Sequence, residues 1–80
     1  MSLRIIVKAD QIRNWIEERR GTPAQRRSTD ADLTVLFSSD RPDYEPVSIG
    51  ELLETMKFNR LVLLVDQEAG NTFHKFIQHG

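Results

Sequence analysis

Two segments of the chain carry apolar residues at helical spacing. The first has Ile12, Trp15 and Ile16 at intervals of three and four residues. Asp10 precedes them as a good N-cap residue, and Gly21 followed by Pro23 ends the pattern. We therefore predict a helix over residues 10–20 with Trp15 on its packed face.

The second helical segment has a more complete start signal. Ser48 and Glu51 form the S-x-x-E pattern of a capping box, and Val47 and Leu52 have the spacing of a hydrophobic staple. Asn59 is a residue type that tolerates a left-handed stop. The predicted apolar stripe between these ends consists of Ile49, Leu52, Leu53 and Met56.

Four segments have the character of strands. Residues 33–37 alternate apolar side chains, and residues 3–7 form a short run rich in β-branched side chains. Residues 61–65 (LVLLV) are continuously apolar, which is typical of a central strand with both faces covered, or with one face on the core and one on a partner. Residues 72–78 follow a loop with Gly70–Asn71, so we predict that they return antiparallel to residues 61–65.

The remaining segments are polar and rich in turn formers. Pro23 and the surrounding polar residues predict a loop over residues 22–32, and residues 38–46 predict a connector whose end, Tyr44 to Val47, is extended. Both helices need a surface on which to bury their stripes. We therefore predict one α+β domain over residues 1–80: a two-layer sandwich with two helices on one face of a mainly antiparallel sheet of three or four strands.

Composition narrows the class of protein. The chain has no cysteine, which excludes disulfides and thiolate chemistry. No apolar run approaches the ~20 residues of a membrane span, and residues 3–7 are too short for a signal peptide. We expect a cytoplasmic protein. Residues 1–27 hold seven basic and three acidic side chains and residues 28–80 hold four and nine, giving net charges of +4 and −5.

Catalytic groupings are not evident in the sequence. His74 and His79 are five residues apart, so on a regular strand they point to opposite faces and do not share a metal ion. One enzymatic arrangement remains to be tested, in which His74 acts with Asp66 across the predicted hairpin. We predict no catalytic residues, no cofactor and no metal site.

The strongest candidate for a binding site is a group of arginines around the Gly21–Pro23 turn: Arg19, Arg20, Arg26 and Arg27. Guanidinium groups suit phosphates and carboxylates, so the group is a candidate contact for an anion or nucleic acid. Cations are also favoured at a helix C-terminus for structural reasons. Nucleic-acid modules usually add exposed aromatic residues and a net basic charge, which this chain lacks.

Three segments together resemble a family of short bacterial proteins of unknown function. The first is the run from Ile12 to Ala24, IRNWIEERRGTPA, which is similar to the family pattern I-R-x-W-x-E-x-R-G-G-x-P-A. The others are Val47–Leu53 and Thr72–Ile77. Some members bear the name glucan branching enzyme, although a chain of 80 residues does not hold the barrel of that chemistry. Arg20 stands where the family has its first glycine.

We expect a small non-enzymatic interaction or adaptor protein that works through contacts with an unidentified protein, with a second copy of this chain as one candidate partner. The alternative is a binder of nucleic acid or of a phosphate ligand through the arginines at residues 19–27. No membrane partner is expected.

Overall fold

A computed structural model describes residues 2–27, 32–38 and 41–79. Parts of the predicted loop (28–31) and of the predicted connector (39–40) lie outside the described residues. The elements in chain order are β1 (Leu3–Ile6), α1 (Ala9–Glu18), β2 (Thr22–Arg26), β3 (Leu33–Leu36), β4 (Tyr44–Pro46), α2 (Ile49–Phe58), β5 (Leu61–Asp66) and β6 (His74–Gln78). The α+β class is confirmed.

In the described part of the chain, six strands form two antiparallel sheets of three strands each. The first sheet has the order β1-β5-β6 and the second has the order β3-β2-β4. In the first sheet Ile6 pairs with Leu63, and Leu63 pairs with Phe76 on its other side. The predicted antiparallel pairing of residues 61–65 with the segment after the loop is confirmed, and residues 3–6 join the same sheet at the opposite edge of β5.

The prediction of a single sheet with both helices on one face was wrong, because residues 22–26 are a strand and not a loop. Pro23 and its polar neighbours have low β-propensity, but this strand lies between two partners. Ala24 pairs with Thr34 on one side and with Pro46 on the other. The N–H of Val47 also donates to the carbonyl oxygen of Pro23 at 2.9 Å. Backbone pairing on both edges of this strand outweighs the low β-propensity of its residues.

The sequence predicts the N-terminal cap of α2 correctly and that of α1 incorrectly. The capping box of α2 is confirmed, since the Glu51 N–H donates to Ser48 Oγ at 3.1 Å and the Ser48 N–H donates to Glu51 Oε1. Asp10 is not the N-cap of α1: Lys8 occupies that position without a side-chain cap, and Asp10 lies in the first turn. There its carboxylate faces the positive end of the helix dipole.

The residues that end the helices in the left-handed region are arginines. Arg20 has φ = 55° and Arg60 has φ = 54°, whereas Asn59, the predicted stop, has φ = −98°. Helix α1 stops at Glu18, two residues earlier than predicted. A residue with a β-carbon in this region carries strain that glycine avoids.

One hydrophobic core joins both sheets and both helices. Its buried members are Ile6, Ile12, Trp15, Ile16, Leu33, Val35, Leu52, Met56, Leu63 and Val65. Trp15 is only 6% exposed, as its helical spacing predicted, and its Nε1–H donates to the carbonyl oxygen of Asp66 at 3.1 Å. Helix α2 contacts both β5 and β2, so it packs against a strand from each sheet.

The two sheets meet where β3 lies beside β6. The Val35 N–H donates to His74 Nε2 at 3.0 Å, and the Thr34 hydroxyl lies 3.2 Å from the same nitrogen. Since Nε2 accepts, the imidazole carries its proton on Nδ1, which lies 3.0 Å from the carbonyl oxygen of Thr72. This histidine therefore connects the edges of the two sheets.

Candidate functional site

Arg19, the first of the four candidate arginines, stabilises the first sheet through hydrogen bonds to backbone carbonyl oxygens. Its side chain is only 6% exposed and its guanidinium carbon lies 4.5 Å from the centre of the Trp15 ring. Nε donates to the carbonyl oxygen of Asn71 at 2.6 Å. The two Nη atoms donate to the carbonyl oxygens of Trp15 (3.3 Å), Asp66 (3.3 Å) and Glu68 (3.0 Å). These bonds leave Arg19 little capacity for an external anion.

Arg26 lies at the end of β2 among acidic groups of the second sheet. Its Nε donates to Asp32 Oδ2 at 2.5 Å, and Asp43 Oδ2 lies 3.8 Å from its Nη1. The hydrogen bonds to Asp32 and to the Tyr44 hydroxyl raise the pKa of Arg26 above its ordinary value. Its charge is therefore balanced within the fold.

The other two arginines are more exposed. Arg27 donates to the carbonyl oxygen of Pro42 at 3.0 Å and pairs with Glu45 at 3.5 Å. Arg20 is exposed at the end of α1. The structure thus brings Arg26 and Arg27 together beside acids, and it places Arg19 against the β5–β6 loop. The four do not form one exposed cationic surface.

The residues of the candidate catalytic pair point to opposite faces of the first sheet. His74 pairs with Val65, the neighbour of Asp66, so the two side chains diverge. Asp66 is fully buried, and its Oδ1 accepts from the backbone N–H groups of Ser2 (3.3 Å) and Glu68 (2.9 Å). Both side chains are thus engaged in separate structural contacts.

The outer face of the first sheet is an apolar surface that the sequence pattern did not locate. Leu63, Val65 and Ile6 point into the core, so strand alternation directs their neighbours outward. The outward residues, which we call the outer face, are Leu3, Ile5 and Val7 from β1 and its end, Val62, Leu64 and the buried Asp66 from β5, and Phe73, Lys75 and Ile77 from β6 and its start. None of them belongs to the core cluster.

The edges of the outer face are open to water. Leu3 is 48% exposed, Ile5 56%, Val7 62% and Phe73 43%. Lys75 is the only exposed charged residue in the set. A single exposed Leu or Ile is ordinary, but a contiguous apolar sheet face marks an interaction surface. The signal in the sequence is that residues 3–7 and 61–65 do not alternate with polar residues.

Across the described ranges 2–27, 32–38 and 41–79, no three His, Cys, Asp or Glu side chains gather as a metal site. Within the same ranges neither helix has the length and apolar character needed to span a membrane.

Comparisons with known proteins assign no function to this chain. The contacts described above are therefore the basis for inferring one. Neither a scan against protein-family models nor searches of curated proteins and of solved structures found a match.

Proposed function

We propose that this chain is a non-enzymatic, cytoplasmic protein-interaction domain, and that it acts as a homodimer in which two outer faces pack against each other. The observation that carries the proposal is the apolar face built by β1, β5 and β6, on which Leu3, Ile5, Val7 and Phe73 at the edges are 43–62% exposed and Val62 is 8% exposed. Its central residue Leu64 is flanked by Ile5 and Lys75 in the register of the sheet.

The near absence of charge favours a second copy as the partner. Lys75 is the one exposed charge on the face, so there is no charge pattern that would select a different protein. A two-fold axis parallel to the strands places β1 of one copy opposite β6 of the other. Lys75 then lies across from the partner's Ile5 at the sheet edge, where its ammonium group reaches water while its stem packs. The sheets would lie ~10 Å apart, as in β-sandwiches.

The expected affinity is modest. Full burial of an apolar side chain stabilises by ~1.5–3 kcal/mol, and the four most exposed residues of each face are about half exposed. Eight such side chains contribute roughly 6–12 kcal/mol before the association cost of ~4–15 kcal/mol. At its most favourable the balance is about 8 kcal/mol, which corresponds to a dissociation constant of about 1 μM, and a smaller balance gives a weaker dimer.

The test is sedimentation velocity over concentrations from about 10 μM to about 1 mM. We expect the mass to rise from one chain towards two as concentration rises. Ile5→Lys should abolish this rise, because its ammonium group loses water in the interface and lies across from the partner's Lys75, where like charges repel. Phe58→Lys is the matched control, since Phe58 is 89% exposed on α2 and is not part of the outer face.

A chain that remains monomeric at millimolar concentration, or an Ile5→Lys variant that dimerises as well as the parent, would contradict the proposal. Nucleic-acid binding that weakens steeply with salt and is lost on Arg26→Glu with Arg27→Glu would instead favour the arginine alternative.

A further inference from the structure

An apolar groove opens at the end of the first sheet where β1 and β6 stop. It has a volume of about 510 Å³ and lies between the beginning of α1, the second half of α2 and the beginning of β5. Its floor is formed by Ile12, Leu53, Met56, Leu61 and Val62. Ile12 and Met56 are themselves core residues, so a group that enters the groove contacts the hydrophobic core directly.

The rim of the groove is open to solvent. Val7, Ala9, Lys57 and His79 complete the lining, and all four are exposed. A pocket for a small apolar ligand usually buries 70–90% of the ligand surface, which this open rim does not provide. An open groove of this size instead suits a few side chains of a peptide whose backbone stays at the surface. Met56 in the floor adds a flexible side chain that adapts to different apolar shapes.

The polar groups of the rim are basic. Among the residues that the structure describes, the polar ones in the lining are Lys57 and His79, and none of the lining residues is acidic. Lys57 forms no ion pair with an acid in the described part of the chain. An apolar floor with an uncompensated basic rim complements a segment that is both apolar and acidic.

We propose that this groove binds a short acidic peptide segment of a partner protein, with bulky apolar side chains seated on Ile12, Leu53 and Met56 and with carboxylates beside Lys57 and His79. The groove adjoins the dimer surface, since Val7 and Val62 belong to the outer face and also line the groove. The other lining residues lie outside the outer face, so the inference does not depend on dimerisation.

The experiment is an NMR titration of the ¹⁵N-labelled chain, with the Ile5→Lys change introduced so that dimerisation through the outer face does not contribute to the spectral shifts. The probe is a synthetic peptide of about nine residues, Glu-Glu-Leu-Glu-Phe-Glu-Leu-Glu-Glu, at about 50 mM salt so that screening is moderate. One control peptide replaces every Glu by Lys, and a second replaces Leu and Phe by Ser. We expect saturable shifts at the amides of Ile12, Leu53, Met56 and Val62 with the first peptide only.

Variants of the rim test the charge contribution. Lys57→Glu should weaken binding about 3- to 10-fold and Lys57→Gln by less, because one favourable contact is reversed in the first and only lost in the second. Arg13→Glu is the matched control: it reverses the charge of an exposed residue of α1 that neither lines the groove nor belongs to the outer face, and it should leave the affinity unchanged. A dispersed spectrum for each variant confirms that it is folded.

Three results would overturn the proposal. One is binding of the acidic peptide no tighter than that of its Ser control, and another is an affinity that is the same with Lys57 and with Glu at that position. The third is saturable binding of dodecanoate without binding of the peptide, which would assign the groove to an anionic amphiphile.

Discussion

The two sheets have the same number of strands and the same antiparallel pairing, but they are stabilised by different kinds of contact. The central strand of the first sheet, β5, is apolar on both faces, and its inner face forms the core with Leu63 and Val65. The central strand of the second sheet, β2, has the sequence TPAQR and is bordered by ion pairs such as Arg26 with Asp32. Only β3 of that sheet, through Leu33 and Val35, supplies residues to the core cluster.

This difference shows which contacts determine a strand. A continuous apolar run forms a strand because burial of its side chains stabilises the sheet, whichever segments supply the neighbouring strands. A polar strand such as β2 forms because neighbouring strands satisfy its backbone groups on both edges. The first kind of strand is readable from local sequence, and the second kind depends on partners elsewhere in the chain.

The largest expected effect tests whether the first sheet contributes most of the stability. Leu63→Ala removes a fully buried side chain at the centre of the first sheet and should lower the free energy of unfolding by ~2–5 kcal/mol. Leu36→Ala, the same change at a half-buried position of β3, should cost less than ~2 kcal/mol. Urea denaturation measures both, and equal losses would remove the distinction between the sheets.

The next prediction concerns the junction of α1 with the second sheet. A β-carbon at Gly21 would overlap Cγ1 of Val35 and approach the Phe37 ring to 2.9 Å. Gly21→Ala should therefore destabilise by ~1–3 kcal/mol through overpacking. Gly50→Ala is the control, because its β-carbon would meet nothing closer than Ser48 Oγ at 3.8 Å, and it should stabilise by up to ~1 kcal/mol. If Gly21→Ala left the free energy of unfolding unchanged, β3 would have to shift at this junction to make room for the β-carbon.

Arginine substitutions compare the two sheets directly. Arg19→Met removes the donors that bind the carbonyls of Asp66, Glu68 and Asn71, and it should cost ~1–3 kcal/mol. Hydrogen exchange should accelerate in the β5–β6 loop. Arg27→Met, which loses an exposed ion pair with Glu45, should stay within about 0.5 kcal/mol of the parent. Similar losses for the two variants would contradict the structural role assigned to Arg19.

The smallest expected effect is a gain at a helix end. Arg20→Gly places glycine at φ = 55°, and it should stabilise by ~0.5–1 kcal/mol, because glycine avoids the left-handed penalty of a β-carbon. Arg60→Gly is the matched variant at the end of α2, with φ = 54° and the same expectation. A loss of thermal stability in both would mean that these arginine side chains make contacts that outweigh the backbone strain.

Much of the candidate site followed only from the three-dimensional arrangement. The sequence placed Arg19 with three other arginines because they are close along the chain. In the fold Arg19 binds carbonyls 47 to 52 residues away, at Asp66, Glu68 and Asn71, and local spacing does not encode such distant partners. The outer face became visible once the register of β1 on β5 showed which of the apolar residues point away from the core.

By itself the sequence determined the two helices, the capping box at Ser48, the packed position of Trp15 and the β5–β6 pairing. These depend on caps, apolar periodicity and a short loop, all of which act between residues close in the chain. Tertiary structure alone decided that residues 22–26 form a strand and that there are two sheets, because the hydrogen-bond partners of that segment come from β3 and β4. It also decided which apolar residues remain exposed, since burial depends on what packs against a residue as well as on its own side chain.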